Sequence, residues 1–536
     1  MSVTDRPADP GAPRVAIVTL GCGRNEVDSD QLAGLFHREG ATVTDDPASA
    51  DVVLVNTCTF IAPAKQESID TVLEACQLKE GGTARAVLVV GCMAQRYPDE
   101  LAAAIPEADA IVGFDGYGRL PAIVSDALEG RLTERVVGVG PAHPGSRPAA
   151  SGAPVTERVG GAGLSLPVLV APPPEQPAVT TAQDDLDRMP PSGPRFPVRA
   201  HDGRPWAYLK IASGCDRVCT FCAIPSFRGR FRSRPLDEVL AEAAWLAGNG
   251  ARELVLVSEN TTSWGKDLDG GRASQPTLLR ELAQVDGIER IRLMYLQPAE
   301  LTRELMAAIA GHPKVASYFD LSLQHVSAPV IARMARSGDH ERFGDLIRQL
   351  RSLDPDAVFR SNFILGFPGE TEDDVALLEG FLAEHRLDWV GLFPFSREDG
   401  TPSAELPDQV PTEVAEERVR RVGELQEQLA DEAARRFIGR RLEVTVEGRI
   451  EDGGVTATVG RSYREAPETD GEVQLVTAAG ADAPRTDVGD GHVGWRPADL
   501  PVGRTVTATV TGAIGVDLVA EVDVATAGGV IAGARR

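Results

Sequence analysis

The chain has 536 residues, 43% of them hydrophobic, and a formal net charge of −25. Its length suggests about three or four domains. Its acidity argues against a non-specific coat on nucleic acid, which needs a basic surface, and makes a basic protein partner electrostatically easier.

Three apolar runs, "RVAIVTLGC", "DVVLVNTC" and "AVLVVGC", open the chain, separated by the helical patterns "EVDSDQLAGLFHREG" and "AKQESIDTVLEACQLKEGG". Strands that are apolar on both faces belong in a buried parallel sheet, so residues 14–135 read as an N-terminal parallel-sheet α/β domain. Residues 141–197 hold 13 of the 38 prolines and read as a flexible linker. From 201 to 433 six strand candidates alternate with helices: "WAYLKIA", "ELVLVS", "RIRLMYL", "SYFDLSL", "VFRSNFILGF" and "WVGLFPFS". Six repeats are too few for a closed eight-fold barrel and suit an open, partial (β/α)6 barrel with its site at the carboxyl ends of the strands. A charged helix near 411–436 leads into short strands such as "RLEVTVEGRI" and "TVTATVTG". Residues 436–525 therefore read as a small OB-like β-barrel of about five strands. Between 441 and 523 this barrel carries 7 Arg and no Lys against 15 Asp and Glu, a poor surface for phosphate.

No run of about eighteen apolar residues is present, and the N-terminus lacks the apolar core of a signal peptide. A cytoplasmic protein with no membrane segment and reduced thiols is expected. Seven cysteines are an odd number for a disulfide framework and favour metal or redox chemistry. Cys215, Cys219 and Cys222, in "SGCDRVCTFCAIP", occupy three corners of a tight loop, as thiolate ligands of a cubic iron–sulfur cluster would. A structural zinc site would ask for a fourth ligand, and after Cys222 the next His is His312. A redox pair at Cys219 and Cys222 would leave Cys215 without a part. Cys22, Cys58 and Cys92 each directly follow an apolar strand, so a parallel sheet would bring all three to one edge. Cys76 lies mid-helix and reads as core.

The C-x-x-x-C-x-x-C motif, with Phe221 before its last cysteine, resembles the radical S-adenosylmethionine (SAM) superfamily. The resemblance implies a 4Fe-4S cluster whose open iron binds SAM, and the partial barrel as its fold. "ILGFPGET", with Gly366, Gly369 and Glu370, looks like the superfamily's SAM-binding segment, though a Gly-Pro turn before a helix reads the same way. Glu259 and Asn260 in "SENTT" stand where a SAM amino group is often met. His325 and Arg336 are candidates for SAM or substrate, and equally for structural polar roles.

Two thiol triads together resemble the methylthiotransferases, which join an N-terminal three-cysteine domain, a radical SAM barrel and a C-terminal TRAM domain. "NTCTFIAPAKQESIDTVLEA", "TLGCGRNEVDSDQL" and "GRSYREAPETDG" are similar to the RimO-type branch, although Gly23 and Arg24 replace its usual Pro-Lys, and "VSENTTSWGKDL" departs from its commoner second-strand segment. This branch implies two 4Fe-4S clusters and SAM as cofactors. It also implies ribosomal protein S-12 as partner, free or in the small subunit, with a reductant protein and a sulfur donor. A monomer is expected. The implied reaction is radical methylthiolation of an aspartate β-carbon, which is too weakly acidic for an ordinary base. The cluster at Cys215, Cys219 and Cys222 would cleave SAM, and the one at Cys22, Cys58 and Cys92 would handle sulfur. Alternatives are methylthiolation of a tRNA adenosine and a non-catalytic, zinc-stapled adaptor on the ribosome.

Overall fold

A computed structural model describes residues 12–139, 199–268, 274–452, 455–478, 486–487 and 493–523. The linker expected at 141–197 lies outside the described residues. The chain forms two compact units, and they do not follow chain order. One comprises Met1–Ala200, Ser213–Arg232 and Ser396–Ala404; the other comprises His201–Ala212, Ser233–Phe395 and Glu405–Arg536. The expected domain boundaries run consecutively and had assigned Ser213–Arg232 and Ser396–Ala404 to the barrel segment. Among the described residues no helix is long and apolar enough to cross a membrane.

The first unit is built on a six-stranded sheet with strands β1 (Arg14–Thr19), β2 (Thr42–Thr44), β3 (Val52–Thr57), β4 (Ala86–Gly91), β5 (Ala110–Val112) and β6 (Val136–Val137), in the order β2-β1-β3-β4-β5-β6. Every pairing is parallel. The two central strands are buried along their whole length, and their alternate residues feed two cores. Leu54, Leu88 and Val90 pack with Leu32 and Phe36 of the helix Gly23–Arg38. Val53, Val55, Val87 and Val89 pack with Val72 and Ala75 of the helix Ala62–Gly81. Each such side chain contributes about 1.5–3 kcal/mol of burial, which explains why these runs are apolar without alternation. Cys76 sits in the second core, as a mid-helix core residue should.

The second unit contains the barrel strands Trp206–Lys210, Glu253–Val257, Arg290–Leu293, Tyr318–Gln324, Val358–Leu365 and Trp389–Pro394. All six expected strands are present. They form two parallel three-stranded sheets. Parallel bridges Ile291↔Val315 and Leu296↔Leu321 join them into one open partial barrel. After the helix Thr412–Arg435, five strands close a small barrel: Arg441–Asp452, Val455–Arg461, Val473–Ala478, Asp517–Val522 and Thr505–Ile514. Closure comes from the pairing of the second strand with the third.

The segment "GRSYREAPETDG" has a structural task within this unit. Arg461, Arg464 and Glu465 are buried, and Arg292 and Glu253 of the partial barrel are buried with them. Glu253 pairs with Arg292 at 2.8 Å, Arg461 at 3.1 Å and Arg290 at 3.3 Å. Burial alone would raise the Glu253 carboxyl, but Arg461, Arg292 and Arg290 hold it down at about 2.

Candidate functional site

Sheet register brings the N-terminal thiols together. The strands β1, β3 and β4 are neighbours, with Thr19 level with Asn56 and Thr57 level with Gly91. Cys58 and Cys92 directly follow β3 and β4, and Cys22 follows β1 after Leu20 and Gly21. Two glycines make the turns possible. Gly21 has φ +96°, and a Cβ there would lie 2.8 Å from Cys58 Sγ. Gly91 has φ +93°, and its Cβ would overlap Asn56 and the backbone of Thr57. Asn25 then stitches two of the turns: its Nδ2 donates to Leu20 O at 2.9 Å and to Thr57 O at 3.1 Å.

The three thiols act on one another electrostatically. Burial and the neighbouring Cys92 and Cys22 push Cys58 up to about 12. Burial also raises Cys92, against the cation of Arg228. Burial would raise Cys22 too, but Arg24 and Arg228 outweigh it and hold this thiol below its ordinary value. Arg24 Nε donates to Cys22 Sγ at 3.4 Å, so the departure from Pro-Lys keeps a cation at the first cysteine.

The second triad lies in the same unit. The Cys215 N–H donates to Gly229 O and the Cys222 N–H to Cys219 O, both at 3.1 Å. Gly214, with φ +79°, lets the loop close against Arg230. The short helix Ile224–Arg228 follows, and Phe227 buries its ring in the core that holds Leu32 and Phe36. Burial pushes Cys222 up to about 12, with Cys219 and Cys215 adding to it and Arg24 opposing. Phe221 is half-buried in this loop. None of the seven cysteines is in a disulfide. Among the described residues, no three Cys, His, Asp or Glu side chains converge on a single-ion site. A cubic cluster does not ask for one, because each thiolate meets a different iron. Both triads therefore fit a cluster by donor chemistry: three closely associated thiols each, none in a disulfide, with cations at hand for the charge.

The segment Ser396–Ala404 completes this unit, and no sequence motif announces it. Glu398, almost fully buried, pairs with Lys65 and with Arg96, each at 2.9 Å. The Ser403 N–H donates to Thr220 O, inside the second triad. Lys65 and Arg96 stand on the helices that follow Cys58 and Cys92. No local pattern could have revealed a pairing across more than three hundred residues.

In the second unit, Gly366 and Gly369 both have φ +77°. The turn they form is held from three sides. Glu370 accepts from Gly366 N–H at 2.9 Å and pairs with Arg418 at 2.8 Å, and Arg333 donates to Gly369 O at 2.6 Å. Glu370 is thus placed as a support of the turn. His325 Nδ1 accepts from Ser327 N–H at 3.0 Å, which leaves the proton of a neutral ring on Nε2, 3.4 Å from Glu370 Oε2. Arg336 donates to Gln297 Oε1 at 2.8 Å and to Ser322 O, tying two strand ends. Asn260 is occupied by its own turn: its amide donates to Ser263 at 2.8 Å and accepts from Thr262 at 2.6 Å. Glu259 precedes it, buried. Tyr295 and Gln324 carry φ of 59° and 70° at neighbouring strand ends, conformations that propensity alone does not announce.

An open (β/α)6 barrel, a contiguous three-thiol loop and a second thiol triad define a radical SAM enzyme with an added thiol-bearing domain. Comparison with known proteins agrees along the chain. Residues 14–113 match Uncharacterized protein family UPF0004, residues 209–382 the Radical SAM superfamily, and residues 438–522 the TRAM domain. Curated relatives named ribosomal protein uS12 methylthiotransferase RimO cover nearly its full length. The one from Kineococcus radiotolerans is 46% identical over 514 residues, 95% of this chain and 96% of its own. That from Saccharopolyspora erythraea is 48% identical over 474 residues, 88% and 92% of the two chains. A solved radical SAM methyltransferase, TsrM from Kitasatospora setae, is 19% identical with a TM-score of 0.49, covering 73% of this chain and 74% of that one. The chain belongs to the RimO family of radical SAM methylthiotransferases. That family implies SAM and 4Fe-4S clusters as cofactors.

Proposed function

We propose that this chain methylthiolates the β-carbon of an aspartate in ribosomal protein S-12. The observation that carries the reading is the pair of three-thiol sets within one compact unit, on a chain whose curated relatives are named for that ribosomal protein. When bound, the cluster at Cys215, Cys219 and Cys222 supplies the electron that cleaves SAM, and the one at Cys22, Cys58 and Cys92 supplies a site for sulfur. The chain's residues bind and orient. Gly366 and Gly369 open the backbone to SAM, with Arg333, Glu370 and Arg418 holding the turn. Phe221, Glu259 and Asn260 are assigned to cofactor binding, each from its own loop. Arg24 and Arg228 offset the charge that thiolates and sulfide gather at the first triad. A protein reductant and a sulfur donor complete the reaction, the enzyme works as a monomer, and a reducing cytoplasm preserves its free thiols.

The acidity of the C-terminal barrel supports a basic protein over a polyanionic tRNA as substrate. The test is anaerobic. The reconstituted protein receives SAM, sulfide and reductant together with S-12 and tRNA that lacks the modification, and mass spectrometry reads both. A methylthio group on one S-12 aspartate is expected. Gain on a tRNA adenosine instead would overturn the substrate and keep the chemistry.

A further inference from the structure

We infer that Arg228 is a positioning residue through which the Cys215–Cys222 loop sets the reduction potential of the centre at Cys22, Cys58 and Cys92. The inference rests on the two-cluster reading above and goes beyond it.

The backbone of Arg228 belongs to the second triad. It ends the short helix that follows Cys222, and the next residue, Gly229, accepts the Cys215 N–H at 3.1 Å. Its side chain belongs to the first triad. Nη2 donates to Cys92 Sγ at 3.2 Å, to Asn25 Oδ1 at 2.8 Å and to Asp28 Oδ2 at 3.3 Å. The guanidinium lies 5.1 Å from the centroid of the Phe114 ring, and the residue is 3% exposed. One residue thus carries a fixed cation from one thiol set to a sulfur of the other.

A structural ion pair explains part of this arrangement. Asp28 is buried as well and needs a cation. It does not need that cation to donate to sulfur. A buried positive charge hydrogen-bonded to a ligand thiolate favours the more negative, reduced state of a cluster, because the interaction strengthens where water is excluded. Partners of this kind also orient the ligand. Asn25 adds to the constraint, since it links Arg228 to the turns that carry Cys22 and Cys58.

The test isolates the first centre. In a Cys215→Ala/Cys219→Ala/Cys222→Ala background, the N-terminal thiols alone remain to hold a cluster. Iron and acid-labile sulfide are counted after anaerobic reconstitution. The midpoint potential is then read by a reductive titration followed by electron paramagnetic resonance. The background is compared with Asp28→Asn, with Asp28→Asn/Arg228→Met and with Arg228→Lys. Asp28→Asn removes the carboxylate that would otherwise stay buried without its cation. The expected result is unchanged iron in every variant and a more negative potential in Asp28→Asn/Arg228→Met than in Asp28→Asn, with Arg228→Lys between. An unchanged potential at full iron content overturns the inference. Loss of iron from both Arg228 variants, with Asp28→Asn still loaded, also overturns it and makes Arg228 a folding residue. A background that holds no iron at all sinks the two-cluster reading and takes the inference with it.

Discussion

The two thiol triads reach the same composition by opposite routes. Cys215, Cys219 and Cys222 sit on one loop, held by backbone hydrogen bonds from Cys215 to Gly229 and from Cys222 to Cys219. Cys22, Cys58 and Cys92 come from three strands and meet because β1, β3 and β4 are adjacent and in register. The first kind of site is written in spacing; the second is a property of the sheet. Their electrostatics differ accordingly. Cys22 is held low by Arg24 and Arg228 while burial raises Cys58 and Cys92, so the sheet-edge triad contains thiols of unlike acidity.

The sharpest break between the two triads is removal of a single thiol. Cys219→Ala should abolish both SAM cleavage and methylthio product. Cys92→Ala should abolish product while 5′-deoxyadenosine still forms. Chromatography of both products checks this, and full product yield from Cys92→Ala would dismiss the two-centre scheme. A milder break leaves every thiol in place. Gly91→Ala adds a Cβ where φ is +93° and Asn56 and Thr57 crowd the position. Strain and overlap together should cost about 3–5 kcal/mol and empty the sheet-edge triad of iron first. Gly214→Ala, at φ +79° against Arg230, should do the reverse. Iron counts in the two variants decide whether each triad depends on its own glycine.

Glu253→Gln is the control outside both triads. It strips the carboxylate from Arg292 and Arg461, both buried, and should cost about 3–5 kcal/mol. The wild-type carboxyl titrates at about 2 in the folded protein, below its ordinary value. Its contribution is therefore fully present above about pH 4.5 and is lost as pH falls toward about 2. Urea melts across that window should show a larger loss in wild type than in Glu253→Gln, with iron at neutral pH unchanged. The smallest effect concerns the apoprotein. Iodoacetamide should alkylate Cys22 at a lower pH than Cys58, whose thiol is pushed up to about 12. Mass spectrometry of the labelled peptides across pH reads the order directly.

Much of this architecture was legible from residues alone. The run "DVVLVN" could be read as a doubly buried strand because Leu54 and Val53 feed cores on opposite faces. The six barrel strands and the five-stranded barrel followed from similar runs. Both triads were visible, one by spacing and one because the same event, a cysteine after a strand, occurs three times. What stayed hidden depends on side chains meeting across long stretches of chain. Neither Arg228 nor Glu398 is singled out by any motif, and "GRSYREAPETDG" reads only as a family resemblance. Their tasks emerge from burial: Arg228 on Cys92, Glu398 between Lys65 and Arg96, Arg461 against Glu253. Asn260 also has local partners that no motif reveals. Its amide donates to Ser263 and accepts from Thr262.

The first unit draws its last piece, Ser396–Ala404, from far along the chain. During synthesis, the sheet that presents Cys22, Cys58 and Cys92 has left the ribosome long before that piece exists. At about 5–20 residues per second, the delay is on the order of tens of seconds. Lys65 and Arg96 spend that interval without Glu398, and Thr220 without Ser403. The first unit is thus finished only after the barrel's final strand has been made, and the ion pairs of Glu398 with Lys65 and Arg96 belong to the last step of its assembly.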